Sequence, residues 1–318
     1  MAVPRLRRLT LTETLQTLTP PASQDVFRSA LNRVAEDVER HLSSSLPQPD
    51  GHQSVIMEAM RYAALDGGKR LRPFLVVETA RMLGGDLDQA LVVGCALECI
   101  HVYSLVHDDL PCMDDDDLRR GRPTVHKAYD EALAVLAGDA LLTHAFAMLS
   151  QEAAHSDPAV RVRLIADLAK ASGTQGMIGG QVVDIMVAEE GRDTALITEL
   201  QAMKTGALIR YAVRAGGLVA GAQAQDFEAL DRYASALGLA FQIQDDILDV
   251  EGDAELVGKA VGKDEDLGKA TFVSLLGLEA AKEKARALGE SACAALAPYG
   301  EKAQTLRGTV DFVLERRH

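Results

Sequence analysis

Asp108, Asp109, Asp114, Asp115, Asp116 and Asp117 place six carboxylates within ten residues, directly after an apolar run that ends in Leu105-Val106. Like charges about 4 Å apart repel by roughly 1 kcal/mol per pair even in water. A folded chain keeps such a cluster as a solvated loop, or because cations neutralise it. A second group, Asp245-Asp246-Ile247-Leu248-Asp249, sits among Ala240, Phe241, Ile243 and Val250. Its i, i+4 spacing stacks Asp245 and Asp249 on one helical face, and the apolar neighbours argue against a solvated charge run. Carboxylates without Cys or His partners suit Mg²⁺, which takes one or two of them and completes its shell with substrate phosphates.

The basic motifs are of the matching kind. In Gly67-Gly68-Lys69-Arg70-Leu71-Arg72-Pro73 the glycines end one helix and Pro73 fits the first turn of the next. Lys69, Arg70 and Arg72 then crowd a junction of free backbone amides, which is an anion site. Arg119-Arg120-Gly121-Arg122-Pro123-Thr124 follows the first acid cluster at once. These arginines either pair with the preceding acids or help to hold metal ions and a phosphorylated substrate together. Gln181 and Asp184 share a helical face at i, i+3; Lys204-Thr205-Gly206 marks a bend; Lys259, Lys263 and Asp264 lie in a glycine- and charge-rich loop over 252–268.

The elements that must position these groups are helices. Val26, Leu31, Val34, Val38 and Leu42 form one stripe over 25–45, broken by Pro47-Gln48-Pro49-Asp50-Gly51. Helices are expected over 53–66, 73–83, 128–152, 158–172, 194–204, 207–220 and 225–250, and from an N-cap at Asp86 a long apolar helix runs to Asp109. On that helix Glu98, His101, Leu105 and Asp108 lie near one face. Asp108 and Asp114 converge only if the intervening loop, interrupted by Pro111, folds back. No period-two strand is visible, so the fold class is all-α, one large helical bundle around a central cavity.

Composition sets the outer bounds. The 318 residues are 47% hydrophobic and 25% charged, with a formal net charge of −14. A strongly acidic chain lacks the basic footprint that nucleic acid requires. Cys95, Cys99, Cys112 and Cys293 show no disulfide or CxxC spacing, which fits a reducing, cytoplasmic setting. No uninterrupted apolar run reaches the roughly 18 residues of a membrane span. Residues 1–22, with Arg5, Arg7 and Arg8 and ending at Pro20-Pro21, read as a disordered tail rather than a transit peptide, leaving 23–318 as the helical domain.

Two acid clusters, several basic loops and an apolar helix interior together point to a substrate with a diphosphate head and a hydrocarbon tail. The chain resembles the trans-prenyl diphosphate synthases, most closely their bacterial farnesyl-forming members, over residues 25–318. The motifs stand in family order: GGKRLRP (67–73), DDLPCMDDDDLRRGRPT (108–124), GGQVVD (179–184), KTG (204–206), FQIQDDILD (241–249) and DLGKAT (266–271). Phe272-Val273 departs from a frequent Tyr-Pro at a place that carries no chemistry.

The resemblance implies a head-to-tail condensation. An allylic diphosphate ionises, the double bond of isopentenyl diphosphate attacks the cation, and a proton is lost to the departing diphosphate. A highly negative leaving group needs its charge stabilised, which metal ions do as Lewis acids. The resemblance implies three Mg²⁺ ions with diphosphate bound, held by Asp108, Asp109 and Asp114 from one side and Asp245 from the other, with Asp246 and Asp249 in support. Lys204, Lys259 and Arg119 would contact the allylic diphosphate, and Thr205 and Gln242 would turn their oxygens to the carbocation. Lys69, Arg72, His101 and Arg120 match the isopentenyl diphosphate site, which takes no metal and must supply cations itself. Family analogy also implies a homodimer.

Product length is expected to depend on the helix below Asp108. Ser104 lies one turn back and Tyr103 five residues back. In the family, bulk at these positions forms the pocket floor. The small Ser104 lets a ten-carbon chain pass and the Tyr103 ring stops it near fifteen, so farnesyl diphosphate is the expected product, with geranyl or geranylgeranyl diphosphate as alternatives. A class I terpene cyclase usually carries an Asn/Ser/Glu second motif, and a non-catalytic partner subunit has typically lost an aspartate motif; neither describes this chain. A di-iron redox or storage bundle would use Glu98…His101 and Glu152…His155 as Glu-x-x-His pairs, leaving both aspartate clusters unexplained. The arginines at 316 and 317 read more naturally as a frayed end than as a closure over the site.

Overall fold

The computed structural model describes residues 21–186, 194–251 and 271–316, and side chains from residue 25. Residues 1–20 of the expected tail lie outside the described residues. So do Lys259, Lys263, Asp264, Lys269 and Arg317.

Helices α1 (Pro21–Ser45), α2 (Ser54–Ala64), α3 (Leu71–Leu83) and α4 (Leu87–Asp108) come first. A two-residue hairpin follows, β1 (Leu118–Arg119) antiparallel to β2 (Arg122–Pro123). Then come α5 (Val125–Ala128), α6 (Glu131–Ser150), α7 (Pro158–Ser172), α8 (Met177–Met186) and α9 (Thr194–Gln201). A π-helical turn (Ala202–Gly206) leads into α10 (Ala207–Val219) and α11 (Ala224–Glu251). The chain closes with α12 (Phe272–Leu276), α13 (Leu278–Ala295), a 3₁₀ segment (Ala297–Ala303) and α14 (Gln304–Glu315). The architecture is all-α, as the sequence leads one to expect.

The long helix α4 carries apolar residues all round, with Glu98, His101 and Asp108 interrupting one face, so its stable place is the centre. It packs against α3 and α6, with α10 on α3 and α11 on α13. The Asp86 carboxylate accepts from the Asp88 and Gln89 amides and caps it. By length and composition α4 and α6 could each cross a bilayer, which the sequence reading missed because Gly, Ser, Thr and His interrupt their apolar runs. The most apolar window of α4 is 72% buried inside the protein, as suits a core helix.

Three local expectations are corrected. Val26 is 44% exposed, and Phe27 takes its place in the buried stripe of α1 with Leu31, Val34, Val38 and Leu42; the register 27, 31, 34, 38, 42 keeps strict i, i+3/i+4 steps. The helix expected over 128–152 breaks at Tyr129-Asp130, where Asp130 caps α6 by accepting from the Leu133 amide at 2.8 Å. The bend at Lys204 is a π-helical turn, a feature that often marks functional positions.

Candidate active site

The first aspartate cluster sits at the C-terminal end of α4 and folds back as its spacing requires. The Asp114 amide donates to the Asp108 carbonyl at 2.8 Å, and the Asp116 amide to the Asp109 carbonyl at 3.2 Å. Asp115 adopts φ +51° to make the turn. Asp108 then faces α8, where the Gln181 side-chain amide donates to it at 3.1 Å. One turn on, Asp184 accepts from Lys204 at 2.6 Å. Lys204 is brought there by the π-helical turn, whose backbone lies so close to α8 that a Cβ on Gly180 would stand 2.4 Å from the Lys204 nitrogen. Gln181 and Asp184, one face of one helix, thus hold a carboxylate and an ammonium of the same site.

Burial pushes the Asp108 carboxyl up to about 6, helped by Asp114 and Asp109 and opposed by Lys204 and Arg119. Burial also raises Asp109, although Arg119 donates to both of its oxygens at 2.7 and 3.0 Å. Asp109 is only 3% exposed, so it and Arg119 serve each other here, the mutual salt bridge that their order in the sequence also allowed. Burial works against the Lys204 ammonium, but Asp184, Asp108 and Asp114 hold it above its ordinary value.

The second cluster divides its work. Asp246 is buried and accepts from the Phe272 amide at 2.7 Å, tying α11 to α12. Asp245 pairs with Arg316 at 2.8 Å. Arg316 also donates to the Phe241 carbonyl at 2.6 Å and stacks on the Phe241 ring, 3.8 Å from its centroid. The expectation that this residue belongs to a frayed end is therefore wrong: long-range contacts from α11 fix it, and nothing in its local sequence announced them. Asp249 is half-buried on the same helix, and Gln242 is half-buried outside the lining of the main cavity. Among the described residues no three acidic, His or Cys side chains converge tightly enough to hold a metal unaided.

The basic loops meet on the other side. Hairpin residues Arg120 (φ +53°) and Gly121 (φ +75°) lay the Arg120 guanidinium on Gly68 (φ +91°), where a Cβ would come within 2.7 Å of it. Arg72 lies nearby with its Nε buried and without a partner. Burial and the Arg120 charge lower the Arg72 pKa. Burial, then Arg316, does the same to Lys69, whose ammonium rests 5.4 Å from the Phe312 ring centroid. His101 is driven well below its ordinary pKa by burial and then by Arg72, Arg120, Arg119 and Arg70. Burial and this field disfavour the imidazolium form, which the expectation of an additional cation at this site did not take into account. Arg70, counted with the anion-site cations from its position alone, turns inward instead and donates to Glu98 at 2.9 Å.

Between the two halves lies a cavity of about 520 Å³, within the range of small-molecule sites. Arg72, His101, Asp108, Lys204 and Thr205 stand on its lining, as do Tyr103 and Ser104. Its opposite wall is the apolar face of α8, Met177, Ile178, Val182 and Ile185. The last three are 42%, 49% and 56% exposed, and their i, i+4, i+7 spacing was a readable signal that the sequence analysis did not use. Tyr103 is buried, its hydroxyl has no hydrogen-bond partner, and its ring meets His107 edge-on at 5.7 Å.

The Glu-x-x-His pairs are otherwise engaged. Glu98 holds Arg70, and the His155 Nδ1 accepts from the Asp157 amide at 3.0 Å in a turn before α7.

A model of the family described as polyprenyl synthetase matches residues 53–304. A farnesyl diphosphate synthase from Geobacillus stearothermophilus is 49% identical over 80% of this chain and 86% of its own length. One from Escherichia coli K12 is 45% identical over 91% of this chain and 99% of its own. The crystal structure of an FPP/GFPP synthase from Zymomonas mobilis, in its apo form, superposes with a TM-score of 0.83 at 47% identity, covering 92% of this chain and 99% of the other.

Proposed function

Because the chain belongs to the polyprenyl synthetase family, we propose that it condenses isopentenyl diphosphate with dimethylallyl and then geranyl diphosphate, releasing diphosphate and forming mainly farnesyl diphosphate. The observation that carries this reading is one apolar cavity between two oppositely built walls. Its lining carries Asp108 with Lys204, and also Arg72 with His101; Asp114 and Asp109 act on Asp108 from behind the first pair, and Arg120 on Arg72 from behind the second.

The acidic wall suits an allylic diphosphate brought in with divalent cations. Burial, with Asp114 and Asp109 beside it, raises the Asp108 carboxyl pKa, and a cation bound there would favour its ionised form. Asp108 at the end of α4 and Asp114 in the loop after it would hold Mg²⁺ from one side and Asp245 on α11 from the other, with diphosphate oxygens completing shells that the protein does not fill. Bound there, Mg²⁺ supplies Lewis-acid stabilisation of the leaving diphosphate. Lys204, held by Asp184, adds a fixed positive charge beside it. Thr205 lines the same cavity, so its oxygen can face the allylic cation, which is otherwise surrounded by apolar side chains.

The basic wall takes isopentenyl diphosphate without metal. Arg72, Lys69 and Arg120 provide charge, and neutral His101 provides a hydrogen bond. With both diphosphates anchored at opposite walls, the two hydrocarbon parts meet in the cavity, where little water competes for the cation. The C–O bond of the allylic diphosphate breaks, a C–C bond forms to isopentenyl diphosphate, and the proton lost goes to the departing diphosphate. The lengthening chain runs along α4 toward Tyr103.

The test is a product assay. Purified protein receives Mg²⁺, labelled isopentenyl diphosphate and either dimethylallyl or geranyl diphosphate, with EDTA as control. A fifteen-carbon diphosphate that disappears with EDTA is the expected product. No condensation from either starter would overturn the reading, and a ten- or twenty-carbon product would overturn its chain length.

A further inference from the structure

Arg70 stands in the basic motif but does not face the substrate cavity. Its guanidinium is buried and donates to Glu98 on α4 at 2.9 Å, to Glu39 on α1 at 2.8 Å and to the Ala64 carbonyl at 2.6 Å. Its backbone adopts φ +50°, a left-handed conformation that is unfavourable for a residue with a Cβ. The second oxygen of Glu39 accepts from the Asp66 amide at 2.8 Å, and Asp66 is itself left-handed at φ +60°. One carboxylate from the first helix therefore grips both ends of the turn over 66–70. That turn carries Gly68, on which the Arg120 guanidinium lies, and Lys69; Arg72 follows two residues after Arg70.

We propose that Glu39 is a positioning residue for the metal-free diphosphate site, acting through Arg70 and the 66–70 turn. Glu39 touches neither substrate. It is half-buried on a helix that contributes nothing else to the site, and it fixes a strained turn whose relaxation would move Lys69 away from Arg72 and unseat Arg120. Glu98 anchors the other branch of Arg70 on α4, the helix that also carries His101. The turn is thus referenced to the same helix as the aspartates, and Glu39 sets its distance from them. The acidic wall, built by α4, α8, the π-helical turn and α11, does not use Glu39. Its loss is therefore felt by one substrate only.

This inference rests on the condensation reading, and the experiment separates the two. Wild type, Glu39→Gln and a control Glu36→Gln, altered one turn earlier on an exposed position of the same helix, are compared in two measurements. The first is KM for isopentenyl diphosphate and for geranyl diphosphate. The second is calorimetric binding of isopentenyl diphosphate in EDTA. Glu39→Gln keeps the helix and an acceptor for the Asp66 amide but removes one of the two carboxylate charges on Arg70 and leaves Glu98 in place. The expected result is a rise of about tenfold in the isopentenyl KM and in its metal-free Kd, the size of one charge-assisted hydrogen bond. The KM for geranyl diphosphate and the thermal midpoint stay within twofold and about 2 °C, and Glu36→Gln changes neither constant. Equal rises in both KM values, or none, would overturn the proposal while leaving the reaction intact. A wild-type protein that binds no isopentenyl diphosphate in EDTA would overturn the site reading beneath it, and the proposal with it.

Discussion

The two walls of the cavity contain the same kinds of side chain in opposite proportions, and their cations behave in opposite ways. On the acidic wall Lys204 and Arg119 are held above their ordinary pKa values, because carboxylates outweigh the cost of burial. On the basic wall Lys69, Arg72 and Arg120 fall below theirs, because burial and mutual repulsion outweigh the acids nearby. Each wall is strained by the charge it lacks. On the proposed reading a magnesium diphosphate would relieve the first and a bare diphosphate the second. Two nearly identical head groups would then be sorted by net field rather than by shape.

The comparison breaks most visibly at Asp108. Replacing it with Asn is expected to lower kcat/KM by about a thousandfold or more, about 4 kcal/mol of lost transition-state stabilisation. Steady-state kinetics in saturating Mg²⁺ measure this. The same variant should not lose thermal stability at pH 7. With its carboxyl raised to about 6, Asp108 disfavours the folded, metal-free protein once it ionises. Stability without metal therefore rises as pH falls from about 6 towards 4, and Asp108→Asn removes that rise. Equal pH profiles for wild type and variant would show that Asp108 is not the strained acid.

Arg72→Gln tests the opposite wall. Its expected effect is a rise of about a hundredfold in KM for isopentenyl diphosphate, with the allylic KM changed less than threefold, as befits one buried charge–phosphate contact of about 2–3 kcal/mol. A rise shared by both substrates would mean that the walls are not separate sites. Asp184→Asn should act more mildly. It frees Lys204 without removing it, so kcat is expected to fall by about tenfold with the Lys204 charge retained. Tyr103→Ala should move product length rather than rate: chromatography is expected to show chains at least one five-carbon unit longer. An unchanged product would remove Tyr103 as the cavity floor.

Much of this was legible in the sequence because it is encoded locally. Asp108, Asp114 and Asp245 announce themselves by carboxylate density in apolar surroundings. The caps at Asp86 and Asp157 and the proline starting α7 mark helix ends by their own chemistry. What stayed hidden depends on partners far along the chain. Arg70 looks like Lys69 and Arg72 until Glu39, 31 residues before it, and Glu98, 28 after it, claim its guanidinium. Arg316 looks like a loose end until Phe241 and Asp245, 75 and 71 residues earlier, fix it. His101 looks like a phosphate-binding cation until its burial, and then the field of four arginines, is taken into account. Residue type and spacing give the inventory of a site, and the tertiary fold decides which charges are left for the substrate.

The most direct measurement of that division is calorimetric binding of each substrate alone, with and without Mg²⁺. The account predicts that isopentenyl diphosphate binds in EDTA with an affinity little changed by magnesium. It predicts that a non-ionisable geranyl diphosphate analogue binds at least a hundredfold more tightly when magnesium is present. Metal dependence of the same size for both ligands, or for neither, would contradict it.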